Sequence, residues 1–511
     1  MEGLQLFTAG LGTIFSSPKY VLLVFAFVAI GILLGAMPGI SVNLSLILCL
    51  PMTYGMDSQT AMTILIACYV GALSGGLISA IALNIPGTTS SIATCFDGHP
   101  LARSGQAGRA IGVGILTSSV GGVISYIMLI FITPLLAAIA MKFGHWEYFA
   151  IGVFSLTMII DISGDDVIKG VLAALFGMVL ATTGGDPING ATRFNLGFRA
   201  LDGGVVMTAL MCGMFAVPEI MKLADNRTDE ELGRMKVEPF KGYGIKFRDY
   251  IAQWWNVIRS AVLGAYVGLL PGIGASSASL FAYSTAKAQS KHPEEFGKGS
   301  YEGLIASETA NNACMGGAMI PMLALGIPGS SAAAILMNAL LLHNVTTGPL
   351  VFTENGSLVY FVFALCFVSI LVMFILERVM LRGYLKVLSA PRRILMVVVI
   401  LMCLVGSYSA RNNILDVFVF AIGGTIGYFL QKVKISSAPI ILGFILGPII
   451  EVNFARAYNL SRGHWQDIFT RPITLIFLII AVLAFANSIR KTIKASKQRR
   501  AAEQAQPVSE G

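Results

Sequence analysis

The sequence predicts an all-α polytopic membrane protein with about 11–12 crossings, built from broken helices and re-entrant hairpins in an inverted internal repeat. Of its 511 residues, 55% are hydrophobic and only 12% are charged, whereas soluble domains carry about 25% charged residues. The apolar residues come in blocks of the length that a bilayer requires, about 20 residues per helix. Two motifs occur in the same order in both halves of the chain, which indicates the repeat.

A polar segment divides the apolar blocks into two groups. Lys and Arg are concentrated in this segment and in the C-terminal tail, and basic residues beside membrane helices mark the cytoplasmic side. We therefore expect both to be cytoplasmic, and topology rather than nucleic-acid binding accounts for the net charge of +8. The predicted domains are a first membrane repeat at 1–221, a cytoplasmic linker at 222–256, a second membrane repeat at 257–489 and a basic cytoplasmic tail at 490–511.

Two motifs define the internal repeat. Residues 31–39 and 264–272 both read GxxxGxxPG, and residues 82–89 and 324–331 both read ALxIPG followed by two hydroxyl residues. In the first half the basic residues follow the second motif, whereas in the second half they lie between the two motifs. By the positive-inside rule the two halves have opposite orientations, which is the inverted repeat of many secondary transporters.

Pro and Gly inside apolar spans predict broken helices. Proline removes a backbone donor, and irregular backbone at membrane depth is tolerated only against protein or a water-filled cavity. We expect 21–50 and 257–285 to enter the membrane and return to the same side, broken at their Pro-Gly pairs. We expect 60–96 and 303–342 each to cross the membrane once, with a break.

The breaks in the second motif are the predicted substrate site. Each combines a Pro-Gly pair with hydroxyl side chains, and a half-helix that begins there presents free N–H groups and a positive dipole end. This chemistry suits a carboxylate. The alternative is a Ser/Thr cap on a kinked helix, and the occurrence in both halves favours a binding site. The predicted substrate-binding residues are Asn84, Pro86, Gly87, Thr88, Thr89, Ser90, Pro328, Gly329, Ser330 and Ser331.

Small polar residues after the first motif are the predicted coupling-ion site. Carbonyl groups freed at the Pro-Gly breaks, together with nearby polar side chains, suit a Na⁺ ion; close helix packing by small residues is the alternative. An acid and two amides share one helix face further on, where they belong either to this site or to a solvated helix start. The coupling ion is predicted to be Na⁺ or H⁺. The predicted coupling-ion residues are Gly39, Ser41, Asn43, Gly272, Gly274, Ser276, Glu308, Asn311 and Asn312.

Other classes of chemistry are not indicated by the sequence. The five histidines show no metal-ligand spacing, and the chain contains no GxxxxGK[ST] sequence. A membrane-embedded enzyme needs a nucleophile or an acid–base pair in the bilayer, and no such set is evident. We therefore expect no cofactor, no metal site and no enzymatic activity. Paired broken helices also favour an occluded midplane site over an open channel.

These motifs resemble the large membrane subunit of the tripartite tricarboxylate transporters. The resemblance covers almost the whole chain, and its most specific parts are ETANNA at 308–313 and IPGSS at 327–331. The other matching segments include LLGAMPGIS at 33–41, GGLISAIALNIPGTTSSIATCFDGHPLARSGQAGRAIG at 75–112, GLLPGIGASSAS at 268–279, TGPLVF at 347–352 and PIILGFILGPIIE at 439–451.

The resemblance implies a carboxylate importer of the bacterial inner membrane that is driven by an ion gradient rather than by ATP. The implied partners are a small four-helix membrane subunit, a periplasmic solute-binding protein that delivers the carboxylate, and membrane lipid. Leu77 and Ser307 stand where we expect Ser and Pro, respectively, and each departure bears on the substrate. A stand-alone carrier for organic anions is the alternative, and the sequence leaves the carboxylate and the coupling ion open.

Overall fold

The computed structural model confirms an all-α polytopic membrane protein. Within the described residues, seven helices are long and apolar enough to cross a membrane, and five shorter apolar helices accompany them. Most of the predicted linker, at 226–246, and the end of the tail lie outside the described residues, and the cytoplasmic placement of both stays a prediction. The residues that the structure describes are 2–162, 167–225, 247–381, 383–384 and 392–505.

The helices are numbered in chain order. The first group is Glu2–Ser16 (α1), Pro18–Ala36 (α2), Val42–Cys49 (α3), Ser58–Leu83 (α4), Ile92–Leu101 (α5), Ala107–Ala140 (α6), His145–Ile162 (α7), Val167–Ala181 (α8) and Met207–Asp225 (α9). The second group begins with Phe247–Ala252 (α10), Trp254–Leu269 (α11), Gly274–Gln289 (α12), Tyr301–Leu325 (α13), Ser331–Leu342 (α14) and Val351–Glu354 (α15). It ends with Gly356–Val379 (α16), Arg392–Ser409 (α17), Ile414–Lys432 (α18), Ala438–Leu460 (α19) and Pro472–Ala505 (α20).

The chain forms two compact units. Unit 1 comprises 1–141 and 206–428, and unit 2 comprises 142–205 and 429–511. Each unit draws on both predicted membrane repeats, so the compact units and the sequence repeats divide the chain in different ways. All of the predicted substrate and coupling-ion residues belong to unit 1.

Glycines of the first motif hold helix pairs together in both halves of unit 1. A Cβ atom on Gly35 of α2 would overlap the carbonyl oxygen of Ala72 on α4. A Cβ atom on Gly268 of α11 would likewise overlap the carbonyl oxygen of Cys314 on α13. Small residues allow this backbone-to-backbone approach between membrane helices. The helix before each Pro-Gly break therefore packs on the long helix that leads to the second motif.

The chain breaks at the Pro-Gly pair of the first motif, as the sequence predicts. In the first half α2 ends and α3 begins on either side of Gly39, whose φ is 88°. In the second half α11 and α12 are separated by a turn that contains Gly272, and its φ is also 88°. Only glycine enters this left-handed region without strain. The two breaks therefore share a backbone conformation as well as a sequence.

The long helices also end where the second motif predicts. α4 ends before Asn84, which has a φ of 55°, and α13 ends before Gly326, which has a φ of 72°. A left-handed residue, most often Gly or Asn, is the common way to terminate a helix. The chain then turns and starts α5 in the first half and α14 in the second. We call Pro86–Ser91 the first tip and Pro328–Ser331 the second tip.

Unit 2 consists of α7, α8, α19 and α20 with a short antiparallel pair of strands, Gly184–Gly185 (β1) and Thr192–Arg193 (β2). Gly177 on α8 and Gly443 on α19 again bring two helix backbones into contact. Two ion pairs join segments distant in the chain: Arg471 with Glu147 at 3.1 Å, and Arg193 with Glu451. Unit 2 contains none of the predicted site residues.

Candidate functional site

The first tip is held by hydrogen bonds among its own hydroxyl groups. The Thr88 Oγ1 atom lies 3.0 Å from the Oγ atoms of both Ser90 and Ser91. The tip rests against Gly76 of α4, where an added Cβ atom would overlap the Thr88 and Ser91 hydroxyls. Thr89 is the one residue of the 88–91 hydroxyl run that is exposed. The tip therefore presents a single accessible hydroxyl on a well-packed base.

The first tip contacts α12 of the second half. The Ser276 hydroxyl donates to the Thr89 hydroxyl at 3.0 Å, and the Ser279 hydroxyl donates to the carbonyl oxygen of Ser90 at 2.9 Å. Ser276 and Thr89 are 187 positions apart in the chain. A residue predicted to bind the coupling ion and a residue predicted to bind the substrate therefore lie side by side.

Glu308 lies next to the helix that follows the first tip. It is 0% exposed and accepts hydrogen bonds from the hydroxyls of Thr94 on α5 and Ser118 on α6, the latter at 2.9 Å. A solvated helix start is thus the wrong interpretation of this acid. The side-chain hydrogen-bond partners of the carboxylate are neutral groups, so no Lys or Arg among the described residues balances its charge.

The two amides beside Glu308 are also buried. The Asn311 Nδ2 atom donates to the carbonyl oxygen of Leu73 on α4 at 3.4 Å, while its Oδ1 atom is buried without a hydrogen-bond partner. The Asn312 Nδ2 atom donates back to the carbonyl oxygen of Glu308 at 3.2 Å. Buried carbonyl oxygens without a partner are uncommon in native proteins. The free Asn311 oxygen is therefore a candidate ligand for a cation beside Glu308.

The second tip is more enclosed than the first. Pro328, Gly329 and Ser330 are buried, and Ser331 is half-buried. The Ser330 hydroxyl accepts from the backbone N–H of Ala333 at 3.2 Å and so caps α14. Its partner on α4 is the Tyr69 side chain. The capping interpretation thus holds for this serine.

Both tips approach residues of the first motif, but no hydrogen bond among the described residues joins one tip to the other. The backbone N–H of Gly272 donates to the carbonyl oxygen of Gly329 at 3.0 Å, which ties the second tip to the α11–α12 break. The structure thus brings each tip to a small polar segment, and a site shared by the two tips stays a prediction.

The first-motif segment of the first half is partly structural. The Ser41 hydroxyl accepts from the backbone N–H of Leu44 at 3.2 Å and caps α3, while Asn43 is half-buried and Gly39 is exposed. In the second half Gly274 has a φ of 71° at the start of α12. A coupling-ion role for these residues stays a prediction.

Asp97 is a buried acid that the motif analysis missed. Its Oδ1 atom accepts from the backbone N–H groups of Gly297, Gly299 and Ser300 at 2.8–2.9 Å. These N–H groups precede α13, so α5 fixes the start of the helix that carries Glu308. A single acid in an apolar stretch was the available signal, because such residues are rare inside membrane segments.

A cavity opens beside the first tip. Its volume is about 470 Å³. The His99 Nδ1 atom lies 3.2 Å from the carbonyl oxygen of Ile81 and donates to it, since a carbonyl oxygen only accepts. The exposed Arg103 gives this cavity a positive charge. The lining residues are Asn84, Cys95, Phe96, His99, Pro100 and Arg103.

The described part of the chain contains no group of three or more His, Cys, Asp or Glu side chains placed to hold a metal ion. The groups around the first tip are hydroxyls, amides and backbone N–H donors. Such a set can bind a carboxylate through hydrogen bonds.

Comparison with known proteins places the chain among transporter sequences. Residues 21–442 match the family described as "Tripartite tricarboxylate transporter TctA family". An uncharacterised 52.8 kDa protein of the TAR-I ttuC' 3' region of Agrobacterium vitis is 33% identical over 483 residues, covering 94% of this chain and 96% of that protein. A second uncharacterised protein, from the TAR-II ttuC' 3' region of the same organism, is 37% identical over 231 residues, covering 44% of this chain and 96% of that protein. No solved structure matches.

Proposed function

Because the chain belongs to the tripartite tricarboxylate transporter TctA family, we propose that it is the large membrane subunit of an importer of tricarboxylates or related carboxylates. Import is driven by an ion gradient and depends on a binding protein. The observation that carries this proposal is the contact of the first tip with Ser276, beside the buried Glu308. It supports an anion site and a cation site that lie close enough to influence each other.

The substrate carboxylate binds at the first tip. Thr89 and Ser276 offer hydroxyl donors, and the helical turn Thr89–Ser91 runs directly into α5, so the positive end of the helix dipole lies at the tip. Residues 84–94 contain no Lys or Arg, so hydrogen bonds and dipoles supply most of the binding energy. A ligand held in this way is released more readily than one held by a buried ion pair, which suits a transporter.

The coupling cation binds at Glu308. The carboxylate of Glu308 bonds to Thr94, one turn beyond Ser91 on α5, so its negative charge acts directly on an anion at the tip. A Na⁺ ion that also contacts the free Asn311 oxygen, or a proton on Glu308, removes this repulsion. Each ligand then increases the affinity of the other by the same factor, which is the thermodynamic basis of symport.

The route of the substrate follows from the charge around the tip. The cavity that contains His99 and Arg103 adjoins the first tip, and its positive charge attracts an anion that leaves the site. Arg103 lies in the basic helical turn between α5 and α6, which the positive-inside rule assigns to the cytoplasm of a bacterial cell. The partners that complete the importer are a small four-helix membrane subunit and a periplasmic solute-binding protein.

The test is uptake of a panel of labelled carboxylates by proteoliposomes that contain both membrane subunits. With binding protein outside and an inward gradient of Na⁺ or H⁺, we expect one class of carboxylate to accumulate, and an ionophore that collapses the gradient to abolish accumulation. Equal uptake without the binding protein would identify a stand-alone carrier. Absence of carboxylate uptake under every gradient would refute the proposed function.

A further inference from the structure

Unit 1 contains a second buried acid that the coupling site does not use. Glu377 lies in the last turn of α16 and is 0% exposed. Its Oε2 atom accepts a hydrogen bond from the Ser74 hydroxyl of α4 at 3.1 Å. Its Oε1 atom is buried and has no hydrogen-bond partner. No described Lys or Arg forms an ion pair with it.

These surroundings suit a proton better than a metal cation. An ionised carboxylate in an apolar interior is costly unless it is paired. Hard cations take about six or more oxygen ligands, whereas Glu377 receives a single hydroxyl, that of Ser74. The free Oε1 atom is the atom to which a proton adds. The neutral acid then carries no charge to be balanced.

We propose that Glu377 is a proton-binding site of this transporter, distinct from the Glu308 site, and that its proton travels with the substrate. The coupling of this proton to the substrate rests on the proposed function, whereas proton binding at Glu377 does not. The proton comes from water on the side from which substrate enters and returns to water on the other side. No other bond is made or broken.

The link to the substrate runs through α4. Ser74 contacts Glu377, and two residues further Gly76 supports the Thr88 and Ser91 hydroxyls of the first tip. Residues 74 and 76 lie on nearly opposite sides of the helix, because successive residues are rotated by about 100°. α4 therefore passes between Glu377 and the first tip. A change in the charge of Glu377 on one side of this helix acts on the position of the tip on the other side.

The charged and titratable groups on the neighbouring helices are few. Glu308 on α13 acts on Glu377 through its charge, as Glu377 does on Tyr384. α4 carries no charged residue, and its titratable Tyr69 interacts with Cys366, eleven residues before Glu377 on α16. The part of α1 at 3–16 carries no charged residue either. Arg378, the next residue on α16, points about 100° away around the helix.

The titratable groups of α6 and α2 lie at other heights along α16. Tyr126 of α6 contacts Phe367, ten residues or about 15 Å before Glu377 along the helix. Tyr20 of α2 contacts Phe361, which lies sixteen residues or about 24 Å before Glu377 along the helix. The adjacent Lys19 pairs with Asp57 at 3.3 Å.

Two further charged groups of the neighbouring helices lie away from Glu377. Arg109 stands in the first turn of α6 over the ring of Tyr301. Glu354 of α15 is exposed and lies near the opposite end of α16. Among the described charged groups, Glu308 is therefore the one that acts on Glu377, and it carries the same sign.

The experiment combines infrared spectroscopy with transport on the purified complex of both membrane subunits. Wild type is expected to show a carbonyl band of a protonated carboxylic acid that disappears as the pH rises and is absent from Glu377→Gln. Glu354→Gln is the matched control and keeps the band, and Glu308→Gln separates the contribution of the other buried acid. A spectrum without any band assignable to Glu377 would overturn the proton site, whether or not carboxylates are transported.

Transport of the carboxylate that wild type accumulates tests the coupling. Above the midpoint, one linked proton lowers the apparent affinity of wild type about tenfold per pH unit. Glu377→Gln mimics the neutral acid and is expected to keep high affinity with a flat pH profile. An unchanged wild-type slope in this variant would refute the coupling.

Ser74→Ala provides a second variant in case Glu377→Gln does not fold. The Ser74 hydroxyl favours the charged carboxylate by donating to it, so its removal is expected to move the midpoint of the pH profile to higher pH. An unchanged midpoint, together with an unchanged infrared band, would overturn the assignment. Failure of wild type to transport any carboxylate would refute the proposed function alone, since the infrared result stands independently.

Discussion

Thr89→Ala is the substitution that isolates substrate binding at the first tip. Thr89 is exposed, and its hydrogen-bond partner Ser276 is half-buried and can bond to water instead. The change therefore removes a hydroxyl without leaving a buried polar group unpaired. We expect the free energy of unfolding to change by less than about 0.5 kcal/mol.

The expected loss of affinity follows from the bond that the hydroxyl donates to the carboxylate. A hydrogen bond to a charged group contributes about 1.5–3 kcal/mol, which corresponds to roughly one to two orders of magnitude in Kd. Thr89→Ser keeps the hydroxyl and is expected to bind almost as well as wild type. Ser330→Ala is a poorer probe, because this serine caps α14 and its loss costs about 1 kcal/mol of stability as well.

The assay is calorimetric titration of the purified complex with the carboxylate that wild type transports. Thermal unfolding of each variant, measured in the same detergent, controls for the fold. If Thr89→Ala and Ser276→Ala both bind with wild-type affinity, the first tip is only a packed turn and the site must be sought elsewhere.

Three further predictions concern the surroundings of the tip. Glu308→Gln removes the charge and keeps an acceptor oxygen for one of the two hydroxyls of Thr94 and Ser118. In a Glu377→Gln background, which lacks the second proton site, it is expected to abolish the dependence of substrate affinity on Na⁺ or pH that remains; a retained 5- to 150-fold cation effect in binding titrations would contradict this role. Gly76→Ala displaces the Thr88 and Ser91 hydroxyls and is expected to abolish uptake. Gly114→Ala, whose Cβ atom meets its nearest neighbour at 3.5 Å, is the tolerated control. Equal uptake by both variants would refute the claim that Gly76 holds the first tip in place. Asp97→Ala leaves three N–H groups without an acceptor and is expected to lower stability by about 3 kcal/mol or more. Asp97→Asn keeps Oδ1 and is expected to lose less stability. Thermal unfolding measures the difference, and equal stability of the two variants would contradict this role of Asp97.

The breaks in the helices could be predicted because they are local. Proline has no N–H to donate, and glycine alone reaches a φ of 88° without strain, so the Pro-Gly pairs at 38–39 and 271–272 end a helix whatever their surroundings. The burial of Glu308 could only be offered as one of two interpretations, because a helix start and a helix interior share the same residue pattern.

The contacts within the site could not be predicted from the sequence. The meeting of Thr89 with Ser276 depends on how helices 187 residues apart pack against each other. The roles of Ser41 and Ser330 as caps also depend on where α3 and α14 begin, and a serine after a Pro-Gly pair is equally suited to capping and to binding. Asp97 lies within the segment 75–112 that carries the resemblance, and Glu377 lies outside every matching segment, but only their charge marks them as candidates.

Protection of a cysteine by substrate is the most direct measurement of carboxylate binding at the first tip. Thr89→Cys is placed in a Cys95→Ala background, because Cys95 is the half-buried native cysteine and the other six are buried. Labelling by a small thiol reagent is followed with and without a saturating concentration of the transported carboxylate, and the exposed position Thr353→Cys is the control. We expect substrate to slow labelling at position 89 and to leave labelling at position 353 unchanged. Labelling at position 89 that proceeds at the same rate with and without substrate would contradict substrate binding at the first tip.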